Sequence, residues 1–160
     1  MRTIYKALFL SILFLPVYVA AEQPLKTETC IVADKAQVIS FFDRWNDALK
    51  SKDPEKVTET YAEKAVLLPT LSNGPLIGHA QIKDYFVKLL KKSPVATINS
   101  RSIESGCNWA MDMGLYTFRI MDGGKKQFIK ARYSYVYENI DGKWLIVHHH
   151  SSLMPAVSEK

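Results

Sequence analysis

Cysteine, excess charge and long apolar runs are all scarce in this sequence. It has two cysteines among 160 residues, 21 basic against 16 acidic side chains, and no apolar run after residue 21 that could span a membrane. A net charge of +5 is too small to suggest nucleic-acid binding. The length fits one globular domain without internal repeats, and it excludes a large multidomain enzyme.

The first 21 residues differ from the rest. Arg2 and Lys6 precede an apolar run over residues 7–21, which Pro16 interrupts and which ends in the small residues Val-Ala-Ala. This pattern predicts a secretory signal peptide cleaved after Ala21, and therefore a periplasmic or secreted protein. Cleavage removes two cations and lowers the net charge to +3. Residues 22–33 are predicted to form a flexible leader.

The two cysteines, Cys30 and Cys107, lie far apart in the chain. In an oxidising compartment a disulfide between them would close a long loop and stabilise the fold by about 3–5 kcal/mol. We expect this bond. Two buried free thiols are the alternative, and a metal-binding pair is less favoured because the spacing matches no ligand motif.

Helical periodicity dominates the first half of the remaining chain. A long amphipathic helix is expected from near Asp34, with one apolar stripe formed by Val38, Phe41, Phe42, Trp45, Ala48 and Leu49. Asp53 and Pro54 predict the start of a short helix that carries Val57 and Tyr61 inward. A short strand at 65–69, a loop and a third helix at 81–91 follow.

After Pro94 the pattern changes to strand alternation. Strands are predicted at 97–104, 108–121, 127–138 and 143–151, and Asp-Gly turns make the last three antiparallel neighbours. Helices followed by a meander indicate an α+β domain at 34–155, with the helices packed on one face of a curved, mainly antiparallel sheet. Residues 156–160 are expected to be a tail.

The segment 141–152, with the sequence DGKWLIVHHHSS, resembles the end of the association domain of calcium/calmodulin-dependent protein kinase type II and of its small bacterial relatives. The resemblance extends back through Trp45, Tyr61 and Gly78 and covers roughly residues 33–155. It implies the nuclear transport factor 2-like cone, which SnoaL-like cyclases, ketosteroid isomerase, scytalone dehydratase and many non-catalytic proteins share. It also implies a homodimer or larger ring assembled through the sheet.

The same resemblance implies a pocket with an altered lining. Where the kinase association domain carries arginines, this chain has Tyr116, Tyr135 and Ser151. We therefore expect a less charged, aromatic-lined cavity. Because nothing resembles the kinase domain or the calmodulin-binding segment, calmodulin is not an expected partner.

Alternation along the strands predicts which side chains share the pocket face. With Tyr116, Tyr135 and Ser151 inward, the face also includes Asp112, Gly114, Phe118, Tyr133, Tyr137, Val147 and His149. The expected ligand-binding set is Trp45, Tyr61, Tyr116, Tyr133, Tyr135, His149 and Ser151. Asp112 near Tyr116 resembles in kind an isomerase pair of proton carrier and hydroxyl donor. The alternative is that the tyrosines fill the core and that Asp112 is hydrogen-bonded or solvated.

Three consecutive histidines end the last strand pattern. His148 and His150 share a face and could ligate a metal, but a third ligand at a recognisable spacing is missing. We expect them on the outer face together with Trp144 and Ile146, and His149 inward as the pH-sensitive pocket residue. Elsewhere, Arg132 is expected to pair with Glu138 or with the histidine-bearing strand, and His79 to cap a helix, lie exposed or reach the pocket mouth.

These observations favour an exported, self-associating domain that binds a small ligand or a protein partner, without a cofactor. One alternative is a cofactor-free isomerase, cyclase or dehydratase that uses Asp112 or His149 with Tyr116 and Tyr135. The other is an exported interaction or inhibitor module.

Overall fold

The computed structural model describes residues 29–70 and 72–155, so the predicted signal peptide, the first part of the leader and the tail lie outside the described residues. Three helices, α1 (Lys35–Ser51), α2 (Pro54–Thr58) and α3 (Gly78–Leu89), pack on one curved sheet, and a 3-10 turn at Leu90–Lys92 follows α3. No helix in these two stretches is long and apolar enough to span a membrane.

The sheet has six strands in the order β2-β1-β6-β5-β4-β3. Their bounds are β1 (Tyr61–Leu68), β2 (Leu76–Ile77), β3 (Val95–Gly106), β4 (Trp109–Asp122), β5 (Lys125–Ile140) and β6 (Lys143–Leu153). β1 and β6 are parallel and every other pair is antiparallel. The predicted α+β cone is therefore confirmed.

α1 follows from local signals in the sequence. Asp34 accepts a hydrogen bond from the Gln37 backbone while the Gln37 side chain accepts one from the Asp34 backbone, which forms a capping box. The predicted apolar stripe is buried against the sheet. Asn46, also buried, exchanges two hydrogen bonds of 2.9 Å with the backbone of Ala96, which fixes α1 to β3.

The end of the expected leader is held in place rather than free. Cys30 and Cys107 form a disulfide. Ile31 and Asn108 exchange hydrogen bonds of 2.9 and 2.8 Å, and Ala33 is buried. The prediction of a flexible segment over 22–33 is thus wrong for its last residues, because a covalent bond and backbone pairing tie them to the β3–β4 turn.

Several boundaries differ from the sequence prediction. Tyr61 begins β1 instead of continuing the short helix, and its carbonyl oxygen bonds His79 Nε2 at 2.9 Å, a contact that gives His79 a structural role. Of the two partners expected for Arg132, the structure shows the histidine-bearing strand and not Glu138: Arg132 Nη2 donates to the carbonyl of Leu153 on β6 at 3.3 Å.

A bulge in β6 changes the facing of its residues. Val136 pairs with His148 while Tyr137 pairs with Ile146, so Val147 is an extra residue on β6. Ile146 is consequently buried and Trp144 stacks on Phe41 inside the cone. The expectation that Trp144 and Ile146 share the outer face with His148 and His150 is wrong.

Candidate ligand-binding site

Aromatic side chains from α1, α3 and the inner face of the sheet form one continuous group. Its members are buried and include Phe42, Trp45, Tyr61, Phe86, Tyr116, Tyr133, Tyr135 and Tyr137. Ring centroids within the group lie 4.7–6.5 Å apart where they touch, as in the edge-to-face contact of Tyr116 with Phe118. Every residue of the predicted ligand-binding set lies in or beside this group, and much of the set also fills the core.

Trp45, Tyr61 and His149 form a buried chain of hydrogen bonds. Trp45 Nε1 donates to Tyr61 Oη at 3.0 Å, and Tyr61 Oη lies 2.8 Å from His149 Nδ1. Because the phenol oxygen already accepts from Trp45, assigning its hydrogen to His149 Nδ1 leaves the fewest groups unpaired. The proton of neutral His149 is then on Nε2.

His149 is suited to the neutral state. Burial, then the neighbouring His148 and His150, hold the pKa of His149 well below its ordinary value of 6.5. Its ring stacks on Tyr135 with a centroid distance of 4.0 Å. The Nε2 atom is buried and has no hydrogen-bond partner among the described residues. This atom is therefore an unused donor in the interior of the cone.

Three hydroxyls form a second polar group. Tyr116 Oη donates to Ser151 Oγ at 2.6 Å, and Ser151 Oγ lies 2.5 Å from Thr70 Oγ1. Burial raises the pKa of Tyr116 far above its usual range, although the bond to Ser151 opposes this effect. The phenol thus stays protonated and acts as a donor.

A cavity of about 50 Å³ lies where these two polar groups approach α3. Its polar wall consists of Thr70, Tyr116, His149 and Ser151. The rest of its lining is almost wholly apolar or aromatic: Trp45, Leu67, Pro69, Tyr85, Phe86, Leu89, Phe118, Ile120 and Ile129, with Lys92 as the one cation. Burial raises the pKa of Tyr85 to about 12, so this phenol is also neutral.

Asp112 belongs to a different polar cluster and does not line this cavity. Its carboxylate accepts from Tyr133 Oη at 2.8 Å and from Arg101 Nε at 3.1 Å, and Arg101 Nη2 lies 3.0 Å from its other oxygen. Burial raises the pKa of Asp112, whereas the bonds from Tyr133 and Arg101 lower it. The structure therefore does not bring Asp112 and His149 together at one reaction centre.

Arg101 was missed by sequence reasoning. It lies on β3, stacks its guanidinium over Phe42 at 5.3 Å from the ring centroid, and is largely shielded from solvent. Arg101 and Ile103 are two residues apart, and Ile103 packs against the core. That spacing was the available signal, since strand residues two apart share a face.

His148 and His150 lie on the opposite face of β6 from His149, in register with Val136 and Ser134. Burial and the nearby His150 lower the pKa of His148. No group of three or more metal-ligating side chains occurs in the part of the chain that the structure describes. The two histidines alone are an incomplete ligand set.

Solved structures with the same fold confirm the class of protein. A nuclear transport factor 2-like superfamily protein from Salmonella enterica is 19% identical with a TM-score of 0.66, covering 77% of this chain and 92% of its own. A candidate dehydratase of the nuclear transport factor 2-like family from Streptomyces avermitilis is 12% identical, with a TM-score of 0.67 and coverage of 76% and 97%. At these identities the likeness defines the nuclear transport factor 2-like fold.

A more specific assignment comes from the sequence family. The calcium/calmodulin dependent protein kinase II association domain family matches residues 34–155, and this chain belongs to that family. It is similar to a candidate association domain of this kind from Xanthomonas campestris, with 46% identity, a TM-score of 0.75, and coverage of 78% of this chain and 91% of that one. A comparison with curated proteins finds no significant match.

Proposed function

We propose that this chain is an exported, self-associating domain that binds a small, mainly apolar molecule in the cavity beneath α3. One observation carries the proposal: His149, on the polar wall of a mainly apolar cavity, has an unused Nε2 donor. A buried polar group without a partner is costly, and a ligand oxygen that accepts its hydrogen bond would remove that cost.

The size of the cavity limits what can enter. A water molecule occupies about 30 Å³ in the liquid. A cavity of about 50 Å³ therefore admits a small molecule, or the terminal group of a larger one. Because the deep wall offers neutral donors and no cation, the group that reaches it should be a carbonyl or hydroxyl oxygen.

The hydrogen-bond pattern supports binding more than catalysis. With Tyr61 donating to Nδ1, the free nitrogen of His149 is protonated and cannot accept a proton from a substrate. Asp112 is engaged by Arg101 and Tyr133 away from the cavity. The enzyme alternative would need either residue to exchange its partners before reaction, so it receives less support.

Self-association is supported by membership of an association-domain family. The face of the sheet turned away from the helices carries partly buried apolar side chains, among them Met111, Met113 and Val136, beside His148 and His150. We propose this surface as the contact between copies, to be checked by the subunit number in native mass spectrometry. An exported inhibitor of another protein would use the same surface and would show a monomer instead.

Export is proposed from the N-terminal sequence pattern and is consistent with the Cys30–Cys107 disulfide. The periplasm, or the outside of the cell, allows such a bond to persist. Fractionation of the native host, with the mature N-terminus determined by mass spectrometry, tests both the compartment and cleavage after Ala21.

Ligand binding is testable with short ketones from acetone to hexanone, observed through shifts of the Trp45 indole NMR signal. A His149→Phe variant keeps an aromatic ring but removes the Nε2 donor, so we expect about three- to tenfold weaker binding. The matched variant His150→Phe, on the opposite face, should bind as the parent does. Equal binding by His149→Phe, or no ketone binding by the parent, contradicts the proposal.

A further inference from the structure

One end of the β4–β5 hairpin exposes a large aromatic side chain. Phe128 is 69% exposed, more than any other large apolar side chain in residues 29–70 and 72–155. The hairpin extends past β6, whose pairing with β5 begins at Ala131 and Leu153. Phe128 thus projects from the outer side of this β4–β5 ribbon, where no described strand pairs with β5 on its β6 side, while β4 still pairs with β3 through Arg119 and Val95.

Basic residues surround Phe128 on the same side of this ribbon. Lys126, Lys130 and Arg132 alternate with it along β5, and Arg119 of β4 lies directly opposite Phe128. We call these five residues the basic hairpin. Lys125 at the turn adds a further exposed cation.

The positive charge continues beyond the hairpin without an acidic residue on its outer side. Arg119 also lines a groove with Lys50 and Lys52 from the end of α1; Lys50 pairs with Asp47 at 2.7 Å, so the added positive charge there comes from Lys52. Asp122 is the nearest acid on the hairpin. It is two residues after buried Ile120, so its side chain lies on the helix side of the sheet. There it pairs with Lys92 at 3.3 Å. The outer-face acids Glu104 and Glu138 lie at the opposite end of the sheet.

We propose that the basic hairpin docks on a bilayer surface containing anionic lipids, with Phe128 inserted among the headgroups. Clustered lysines and arginines are attracted to such a surface, at about 1 kcal/mol for each side chain near it. An exposed aromatic ring between them gains by leaving water at the interface. The small net charge of the chain does not indicate this site, because acidic side chains elsewhere on the molecule balance most of the positive charge.

This contact differs from membrane spanning, which the lack of a second apolar run argues against. It requires only one exposed ring and the surrounding charges. It is also independent of the cavity, because Phe128 and its basic neighbours on the outer side do not line it. A failure of ketone binding would leave this inference unaffected.

The test uses the mature chain and sedimentation with vesicles of phosphatidylglycerol and phosphatidylcholine, compared with vesicles of phosphatidylcholine alone. Binding to the anionic vesicles should weaken with added salt. The double variant Lys126→Gln/Lys130→Gln should lower the partition coefficient about 30-fold, which corresponds to the loss of two lysines near the surface. Phe128→Ser should lower it as well.

Matched controls lie at the other end of the sheet, Ile140 at the end of β5 and Lys143 at the start of β6. Ile140→Ser and Lys143→Gln also remove one exposed apolar and one basic side chain, and neither should change vesicle binding. Equal binding to both kinds of vesicle, no binding, or equal losses in the controls overturns the proposal. So does a smaller subunit number for Phe128→Ser in native mass spectrometry, because the patch would then be a contact between copies.

Discussion

At the scale of single residues, buried His149 makes the stability of the folded chain depend on pH. Its pKa is held well below 6.5 by burial, so the folded chain resists a proton that the unfolded chain binds. The stabilising contribution is therefore complete above about pH 6.5 and is lost as the pH falls towards the pKa of the folded state.

We expect the free energy of unfolding to decrease between pH 6.5 and 5, with His149 contributing a slope of up to about 1.4 kcal/mol per pH unit. Urea denaturation at a series of pH values measures this slope. The His149→Phe variant should lose that part of the slope, while His150→Phe retains it. A slope that is the same in the parent and in His149→Phe would show that another group causes it.

The family resemblance implied that Tyr116 and Tyr135 point inward, and alternation along the strands extended this to Asp112 and His149; all four side chains are buried. Alternation could not predict their partners, because cross-strand contacts depend on register and on bulges that one sequence does not show. The sequence therefore leaves Asp112 open as a proton carrier or as a hydrogen-bonded residue, and the structure shows the second, with Arg101 and Tyr133 as its partners. The face of the sheet on which a strand residue lies follows a two-residue period in the sequence, whereas its hydrogen-bond partner does not.

At the scale of elements, Gly114 makes a bulge in the sheet possible. The β3–β4 register shifts between Ile98 and Ser100, and a Cβ on Gly114 would overlap the backbone carbonyl of Ser100. Backbone cannot move aside as a flexible side chain can, so any larger residue must displace the strand.

Gly114→Ala should therefore lower the free energy of unfolding by about 2 kcal/mol, within the range for overpacked sites. Gly74→Ala is the matched control because nothing lies within 4 Å of its added Cβ. It should change stability by less than about 0.5 kcal/mol. Equal urea midpoints for the two variants would mean that β3 moves to accommodate the added Cβ without lowering the free energy of unfolding.

The sequence correctly predicts the main helices and the meander, but it does not predict the bulge in β6 or the end of α2. The apolar stripe of α1 and the Asp-Gly turns are strong local signals, and they gave the correct helix and meander. The bulge at Val147 leaves no such signal, so counting back from His149 placed Trp144 and Ile146 on the wrong face. Tyr61 was joined to α2 because a single apolar residue fits either periodicity.

At the scale of the whole molecule, the disulfide closes a loop with a sequence separation of 77 residues. Restricting an unfolded loop of that length stabilises the folded state by about 4 kcal/mol. The double variant Cys30→Ser/Cys107→Ser should be less stable by this amount in urea. A reductant should shift the parent to the same midpoint and leave the double variant unchanged. Parent and variant with the same midpoint would contradict a stabilising bond.

Family membership specifies the cone without specifying its ligand. Relatives only 12–19% identical keep the architecture, because many apolar combinations fill the same sheet and helices. The cavity wall depends instead on a few positions such as His149 and Ser151. The sequence pattern does not define the roles of these polar residues, and only their contacts in the structure do.

The strand order has a consequence for synthesis. β6, the last strand in the chain order, lies between β1 and β5 at the centre of the sheet. A growing chain that lacks it can form the β3–β5 meander and the β1–β2 pair, but no strand joins the two. Formation of the native sheet must therefore wait until almost all of the domain has been made. Because the sheet cannot be completed before that point, the chain remains unfolded during most of its synthesis, which suits the proposed export in an unfolded state.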